Sequence, residues 1–392
     1  MKGRLVSPRA DDRWITEVAA RLVRVNSVNP AFSGSTTNES AIADLVSRML
    51  TDLGMTVARY EPEPGRASVV GRLAGRGGGR SLMLYAHYDT VGAAGMPDPF
   101  SAAVRDGRLY GRGAYDMKGS LAACLGAVKA LRDAGVPLAG DLLIAGVADE
   151  EVASIGMEDV LRHVRPDAAI VTEPTELALC LAHKGFAWID VTVHGRAAHG
   201  SRYDLGVDAN IRMGRFLAAL EALERELRAR TPHPLTGPPS LHVGRVEGGS
   251  GDSTYAERAV ASIERRTVPA ERVEDVVAEV QGIVDTLAAA DPEFRADVRL
   301  RLARPGFELP ADAPVARALR AAAADLLGAP PPEVGVAYWM DAALLAAAGI
   351  ETAVIGPVGA GAHAAEEWVD LESLGRLAAI LARAAVEVCG AA

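Results

Sequence analysis

The chain has 392 residues, of which 49% are hydrophobic and 23% charged, a balance typical of a globular protein with room for two domains. Its formal net charge of −10 argues against a nucleic-acid partner, because phosphate binding needs a basic face. No run approaches the roughly eighteen consecutive apolar residues of a membrane span, so the sequence predicts no membrane partner.

The first half of the chain alternates helical and strand patterns. Residues 11–25 and 38–53 have helical periodicity, and strands follow near 55–60 and 67–73. The bulky apolar run at 82–86 predicts a strand buried on both faces. The same alternation continues with a helix at 118–134, a strand at 141–148, a helix near 155–163 and a strand at 168–172. This order predicts an α/β fold whose mainly parallel sheet is flanked by helices.

The pattern changes near residue 184. Residues 186–193 alternate with the two-residue period of a half-buried strand. The next elements are a helix at 207–229, strands at 240–247 and 257–266, a helix at 271–289 and a strand at 297–302. This β-α-β-β-α-β order predicts a small, ferredoxin-like α+β domain inserted into the larger one. Residues 313–388 then supply further helices and a strand at 351–355.

The N-terminal sequence and the cysteines bear on location. Residues 1–8 contain no apolar segment of a secretory signal. The three cysteines are an odd number without metal-binding spacing, which is typical of reduced thiols. We therefore expect a cytoplasmic protein.

His87 and Asp89 stand at the end of the 82–86 strand. Side chains two residues apart in an extended segment point the same way, so both can face a crevice at the carboxyl edge of the sheet. Alone, the pair is equally consistent with a structural hydrogen bond. A functional site is favoured because other acids and a second histidine also follow strands or occupy glycine-rich loops, namely Asp116, Glu150, Glu151, Glu173 and His363.

These residues have the composition of a metal site. Two histidines and several carboxylates, with no cysteine, are typical ligands of catalytic zinc, cobalt or manganese. A two-metal centre also needs a carboxylate that bridges the ions and a base that activates water. The sequence supplies enough carboxylates for both tasks.

Six motifs, in order along the chain, resemble the M20 metallopeptidase and deacylase family, which includes acetylornithine deacetylase and succinyl-diaminopimelate desuccinylase. They are HYDTV from residue 87, GRGAYDMKGS from 111, DEE from 149, TEPT from 172, AAHGS from 197 and GAHAAEEWV from 361. The resemblance implies a metal-binding catalytic domain formed by residues 1–183 and 304–392. The inserted domain, 184–303, would be a lid that pairs two subunits into a homodimer.

The resemblance also implies the metal ligands. Asp116 would bridge two divalent ions, for which zinc is expected, with cobalt or manganese as alternatives. His87 and Glu173 would complete the ligands of one ion, and Glu151 and His363 those of the other.

Glu150 and Asp89 would assist the metal centre. Adjacent residues at an irregular strand end point differently, so Glu151 can bind metal while Glu150 faces water as the general base. Asp89 would hydrogen-bond the far nitrogen of His87 and fix its tautomer.

Two residues of the inserted domain would contact the substrate. His199 would stabilise the oxyanion, although outside its motif a histidine in a Gly-Ser loop is typical of a surface. Arg266 would clamp a substrate carboxylate with its bidentate guanidinium. The family commonly has Asn-x-x-Pro just upstream, whereas residues 252–255 here are Asp-Ser-Thr-Tyr. A carboxylate at this place would repel acidic substrates and favour a cationic group.

Two acids outside this set have open roles. Asp341 lies where the resembled family often has an Asp near the site, but an Asp at a helix start usually caps the helix N-terminus. Glu367 either faces the site or holds the loop that carries His363.

The sequence thus predicts a two-metal amidohydrolase that removes an acyl or aminoacyl group from a small substrate, such as an N-acyl amino acid or a dipeptide. An acetylornithine deacetylase-like or succinyl-diaminopimelate desuccinylase-like activity is the first expectation. The alternatives are a dipeptidase or carboxypeptidase, an enzyme that processes a carrier-protein-bound intermediate, and a non-catalytic binding protein. The complete ligand set together with Glu150 argues against the last of these.

Overall fold

The computed structural model describes residues 10–33 and 37–392. Residues 1–8, where the sequence predicts no secretory signal, lie outside the described residues. The chain divides into two compact units. The first comprises Met1–Leu181, Leu309–Val334 and Met340–Ala392, and the second comprises Ala182–Glu308 and Gly335–Trp339.

Ten α-helices occur within the described residues. They are α1 (Asp12–Val23), α2 (Pro30–Ser33), α3 (Ser40–Asp52), α4 (Gly119–Asp133), α5 (Ile155–His163), α6 (Ala209–Ala229), α7 (Val273–Ala290), α8 (Pro314–Leu327), α9 (Ala342–Ala347) and α10 (Leu371–Cys389). A π-helical turn, Ala114–Lys118, leads directly into α4.

The strands are mostly short. They are β1 (Thr56–Tyr60), β2 (Ser68–Leu73), β3 (Leu82–His87), β4 (Ala103–Arg105), β5 (Arg108–Tyr110), β6 (Leu142–Val147), β7 (Ala168–Val171), β8 (Leu179–His183), β9 (Gly185–His194), β10 (Ser240–Gly248), β11 (Arg258–Thr267), β12 (Arg295–Arg304), β13 (Phe307–Glu308), β14 (Glu333–Val336), β15 (Glu351–Val354), β16 (Gly359–Ala360) and β17 (Trp368–Asp370).

The first unit is built on a sheet with the strand order β1-β2-β6-β3-β7-β15-β8. The central pairs β6/β3, β3/β7 and β7/β15 are parallel, and the pairs on either side of them are antiparallel. The predicted α/β fold class is confirmed, and the sheet is mixed, with its parallel strands at the centre. Antiparallel pairing of β1 and β2 follows from their short connection, whereas helices α4 and α5 connect the parallel strands β3, β6 and β7.

Burial explains why the central strands read as unbroken apolar runs. All residues of β3 and β6 are buried, which requires cover on both faces of the sheet. The alanine-rich helix α4 is almost entirely buried and packs against α1 and α10. At Gly126 of α4, a Cβ atom would come within 2.7 Å of the Ile15 side chain, so this glycine permits the close approach of α1.

The second unit contains an antiparallel sheet with the order β10-β11-β9-β12. Alternate residues of β9, such as Ile189 and Val191, are buried in a core that includes Phe216 of α6 and Val280 of α7. The chain order β9-α6-β10-β11-α7-β12 is the predicted β-α-β-β-α-β arrangement. The inserted α+β fold is therefore confirmed.

A small sheet in the first unit, β16-β17-β5-β4, carries two loops with candidate site residues. Strand β5 leads into the turn with Asp116, and β16 and β17 flank the loop with His363. No helix in the described part of the chain has the length and apolar character needed to cross a membrane.

Candidate dinuclear metal site

Three neighbouring parallel strands deliver candidate ligands to one sheet edge. Strand β3 ends at His87, β6 is followed by Glu150 and Glu151, and β7 is followed by Glu173. Because β6, β3 and β7 are parallel neighbours, their carboxyl ends lie side by side. This is the edge where open α/β sheets bind ligands.

Two loops complete the cluster. Asp116 lies in the π-helical turn before α4 and departs from helical geometry, with φ −117° and ψ 91°. The peptide bond between Asp116 and Met117 is cis. His363 follows β16 and has φ +62°, the left-handed conformation of a tight turn.

The candidate ligands form two groups that share Asp116. In the first, His87 Nε2 lies 3.1 Å from Asp116 Oδ1 and 3.5 Å from Glu173 Oε1. In the second, His363 Nε2 lies 3.3 Å from Asp116 Oδ2 and 3.0 Å from Glu151 Oε2. The potential ligand atoms of each group lie within 4.8 Å of one another. Asp116 thus presents one carboxylate oxygen to each group, which is the geometry of a bridging ligand.

The donor set suits divalent cations. Ligands at about 2.0–2.2 Å from a tetrahedral ion lie roughly 3.3–3.6 Å apart, close to the observed separations. Glu151 Oε1 and Glu173 Oε1 are buried and have no hydrogen-bond partner among the described residues. Buried carboxylate oxygens without partners are costly unless a cation binds them. The residues present therefore fit two metal ions.

Crowded carboxylates perturb one another in this cluster. Burial, and then the charge of Glu173, raise the pKa of Glu150 well above its usual range. Burial also raises the pKa of Glu173 and of Glu151, with repulsion from Asp116 contributing to both. Perturbed groups of this kind concentrate at functional sites.

The pKa values of the two imidazoles are also raised, which favours their charged form. Hydrogen bonds to Asp116 and Glu151 raise the pKa of His363 to about 10. Burial opposes the charged form of His87, but Glu173 and Asp116 outweigh it and raise the pKa of that imidazole. At Asp116, the hydrogen bonds from His363 and His87 overcome burial and lower the pKa. The cluster therefore favours positive charge beside Asp116.

Glu150 belongs to neither ligand group. Its Oε2 atom lies 3.9 Å from His87 Nε2, so its side chain is close to the first group. Glu151, its neighbour in the chain, faces His363 instead. The two adjacent carboxylates thus point to different places, as expected at an irregular strand end.

Asp89 links the histidine strand to the glutamate turn. Its Oδ1 and Oδ2 atoms accept hydrogen bonds from the backbone amides of Glu150 and Glu151, at 3.1 and 3.3 Å. His87 Nδ1 lies 3.0 Å from the carbonyl oxygen of Asp89 and 3.6 Å from its carboxylate. A carbonyl oxygen only accepts, so Nδ1 carries a proton and Nε2 faces the ligand group. The main chain of Asp89 therefore contributes more closely than its carboxylate to the orientation of His87.

The structure shows what Glu367 and Asp341, whose roles the sequence left open, contact. Glu367 is buried and holds the loop of Asp116, because its carboxylate accepts from the backbone amides of Gly113, Tyr115 and Asp116 at 2.9–3.0 Å and from Arg112 at 2.6 Å. Asp341 occupies the position before α9, but its side chain makes no capping hydrogen bond. The expectation of a side-chain cap is wrong, because Asp341 is buried and accepts a hydrogen bond from the Tyr85 hydroxyl at 2.6 Å.

His199 lies in an exposed loop of the second unit. Its Nδ1 atom accepts a hydrogen bond from the Ser201 backbone amide at 3.2 Å and lies 2.8 Å from the Ser201 hydroxyl. A neutral His199 with Nδ1 as acceptor carries its proton on Nε2. The loop with Asp252 lies beside it, since the Gly200 amide donates to the Ser253 carbonyl at 2.7 Å.

Arg266 lies on β11 in the second unit. Its guanidinium is 3.0 Å from Glu264 Oε1 and stacks over the Phe186 ring at 5.5 Å. The indole of Trp188 also donates to Glu264, at 3.2 Å. The acidic residue two positions before Arg266 therefore orients it.

Comparisons with known proteins agree with this geometry. Residues 83–387 match peptidase family M20/M25/M40. An acetylornithine deacetylase from Myxococcus xanthus is 32% identical over 335 residues, 83% of this chain and 85% of the relative. Among solved structures, the aminopeptidase PepT from Bacillus cereus has a TM-score of 0.80 at 20% identity, covering 97% of this chain and 99% of that one.

A second solved structure, the YXEP protein of Bacillus subtilis, is described as a dinuclear metal-binding peptidase from the M20 family. It has a TM-score of 0.74 at 16% identity and covers 97% of this chain and 99% of that one. Fold, ligand cluster and relatives together define a metal-dependent amide hydrolase. The chain belongs to peptidase family M20/M25/M40.

Proposed function

We propose that this hydrolase removes an acyl group from the amino nitrogen of a small amino acid. Two divalent metal ions would be held there, one by His87 and Glu173 and the other by Glu151 and His363, and Asp116 would be a ligand of both. The observation that carries the proposal is the division of Asp116 between the two ligand groups. The similarity to an acetylornithine deacetylase, at 32% identity, supports the deacylase activity.

Glu150 is the general base in this proposal. When bound, two divalent ions polarise the amide carbonyl and lower the pKa of water. Glu150 is buried beside the first ligand group without belonging to it, so its carboxylate can take a proton from water and return it to the leaving amine.

His199 and Arg266 carry the proposed substrate contacts. A proton on His199 Nε2 can stabilise the negative charge that develops on the carbonyl oxygen. Arg266 can bind the substrate carboxylate with its planar guanidinium. The lid function of the inserted domain, its pairing of two subunits, the choice of zinc over cobalt or manganese and the cytoplasmic location stay predictions.

A peptidase activity is the second candidate. It is favoured by the likeness of the fold to the aminopeptidase PepT, and it uses the same metal centre and base. The two candidates differ in whether the group attached to the scissile nitrogen is a simple acyl group or an aminoacyl residue.

The test is the hydrolysis of N-acetyl amino acids, N-succinyl amino acids and dipeptides. The protein is reconstituted with Zn²⁺, Co²⁺ or Mn²⁺, and protein stripped of metal by a chelator is the control. Metal-dependent release from N-acetyl amino acids supports the deacylase. Preferential release from dipeptides favours the peptidase. If fully loaded protein leaves all three classes intact, the proposal is wrong, and a carrier-bound substrate takes its place.

A further inference from the structure

A buried asparagine lies beside the strand end that carries His87. Asn29 has no exposed surface, and its segment runs alongside residues 88–90. The Asn29 backbone amide donates to the Thr90 carbonyl at 2.9 Å, and the Thr90 amide donates to the Ser27 carbonyl at 3.1 Å. These main-chain bonds fix the position of the Asn29 side chain.

The orientation of the Asn29 amide follows from its partners. Oδ1 lies 3.1 Å from the backbone amide nitrogen of Ala31, which can only donate, so Oδ1 is the acceptor. Nδ2 lies 2.9 Å from Asp89 Oδ2 and 2.9 Å from Asp149 Oδ1. One amide group has two hydrogens, so Asn29 can donate one to each carboxylate.

The two carboxylates belong to different strand ends. Asp89 follows β3 and accepts the backbone amides of Glu150 and Glu151. Asp149 follows β6, with φ +70°, and closes the next turn: its backbone carbonyl accepts the amide of Ser154 at 2.6 Å, and its Oδ2 accepts the amide of Ile155 at 3.3 Å. Asn29 therefore ties the end of the histidine strand to the turn that carries both glutamates.

The negative charges of Asp89 and Asp149 explain the need for a hydrogen-bond donor at this position. The carboxylates of Asp89 and Asp149 both contact the Asn29 amide group, and without a donor between them they would repel each other. The Asp149 oxygen that accepts from Asn29, Oδ1, also pairs with Arg66, whose guanidinium lies 2.9 Å from the buried carboxylate of Glu39. Asn29 is the neutral donor between the carboxylates of Asp89 and Asp149.

We propose that Asn29 is a positioning residue, which sets the separation between His87 and the adjacent pair Glu150 and Glu151. It acts through Asp89 and Asp149 and does not itself touch substrate. The inference rests on the proposed function for the roles of His87, Glu150 and Glu151.

The test replaces Asn29 by aspartate. Asn29→Asp keeps the size and the acceptor for the Ala31 amide but loses both donors. We expect Co²⁺ affinity to fall about 10–100-fold, with altered visible absorption bands of the Co²⁺-substituted protein. On a substrate from the panel, kcat should fall to a similar extent while KM changes by less than about threefold.

Asn26→Asp is the matched control. Asn26 is exposed three residues earlier, and its Oδ1 accepts the Val28 amide at 3.1 Å, a bond that aspartate can also make. We expect Co²⁺ affinity, Co²⁺ spectrum and kcat of this variant to equal those of the wild type.

Two results would overturn the inference. The first is an Asn29→Asp protein with a lower melting temperature but an unchanged Co²⁺ spectrum and affinity, since that describes a purely structural residue. If Asn29→Asp does not fold, Asn29→Ala removes both donors without adding charge, and an unchanged spectrum and affinity in that variant is the second. The metal measurements need no substrate, so inactivity of the wild type on the panel counts against the proposed function alone.

Discussion

The carboxylate of Glu367 accepts a hydrogen bond from the backbone amide of Asp116 at 3.0 Å. Glu367 lies four residues after His363, so one C-terminal loop supplies a candidate metal ligand and also holds the backbone of another. The position of the bridging carboxylate and that of His363 are therefore coupled through a short segment of chain.

Replacing Glu367 by glutamine tests this coupling. The glutamine NH₂ group cannot accept, so at least one of the amides of Gly113, Tyr115 and Asp116 loses its partner. We expect metal affinity to fall about 10–100-fold, as measured by calorimetric titration of the metal-free protein with the metal ion. Glu366→Gln is the matched control, because Glu366 is exposed. Equal affinities in the two variants would show that Glu367 does not support the metal centre.

Asp252 offers a test of substrate charge. It lies in the exposed loop whose residue Ser253 accepts the amide of Gly200, next to His199. A like charge near a substrate carboxylate costs about 1 kcal/mol at 4 Å in water, equivalent to about fivefold in affinity. We expect Asp252→Asn to raise kcat/KM about fivefold for N-succinyl relative to N-acetyl substrates. An unchanged ratio of the two kcat/KM values would mean that the charge of Asp252 does not act on the acyl group.

Glu39 gives the stability of the protein a pH dependence. Burial, and then the charge of Asp89, raise its pKa from the usual 4.5 to about 8 in the folded chain. Between these values the folded state binds a proton that the unfolded state has lost, so the free energy of unfolding decreases as pH rises. We expect the melting temperature of the wild type to fall more steeply from pH 5 to about 8 than that of Glu39→Gln. Parallel melting curves for the two proteins would contradict this account.

The sequence was most informative where candidate site residues come directly after a strand. His87, Glu150, Glu151 and Glu173 could be predicted as neighbours, because parallel strands end at a common edge. The pairing of β1 and β2 was less visible, since both strands mix polar with apolar residues and such a pattern does not show the direction of a partner strand.

Long-range hydrogen bonds could not be predicted. Asn29 precedes a proline and looks like an ordinary turn residue, yet its partners lie 60 and 120 positions away in the sequence. Asp341 looks like a helix cap, yet its partner Tyr85 is 256 positions away. Local propensity describes what a side chain can do nearby, and only tertiary packing decides where a buried polar group finds its partner.

The role of Glu150 is the central claim, and the most direct test is the turnover of Glu150→Gln beside its metal content. Glu150 belongs to neither ligand group, so the variant should keep the metal content of the wild type. Loss of the base should lower kcat by about 10²–10⁴-fold. A Glu150→Gln protein with full metal content and wild-type turnover would contradict the account, because the proton of water would then be taken by another group.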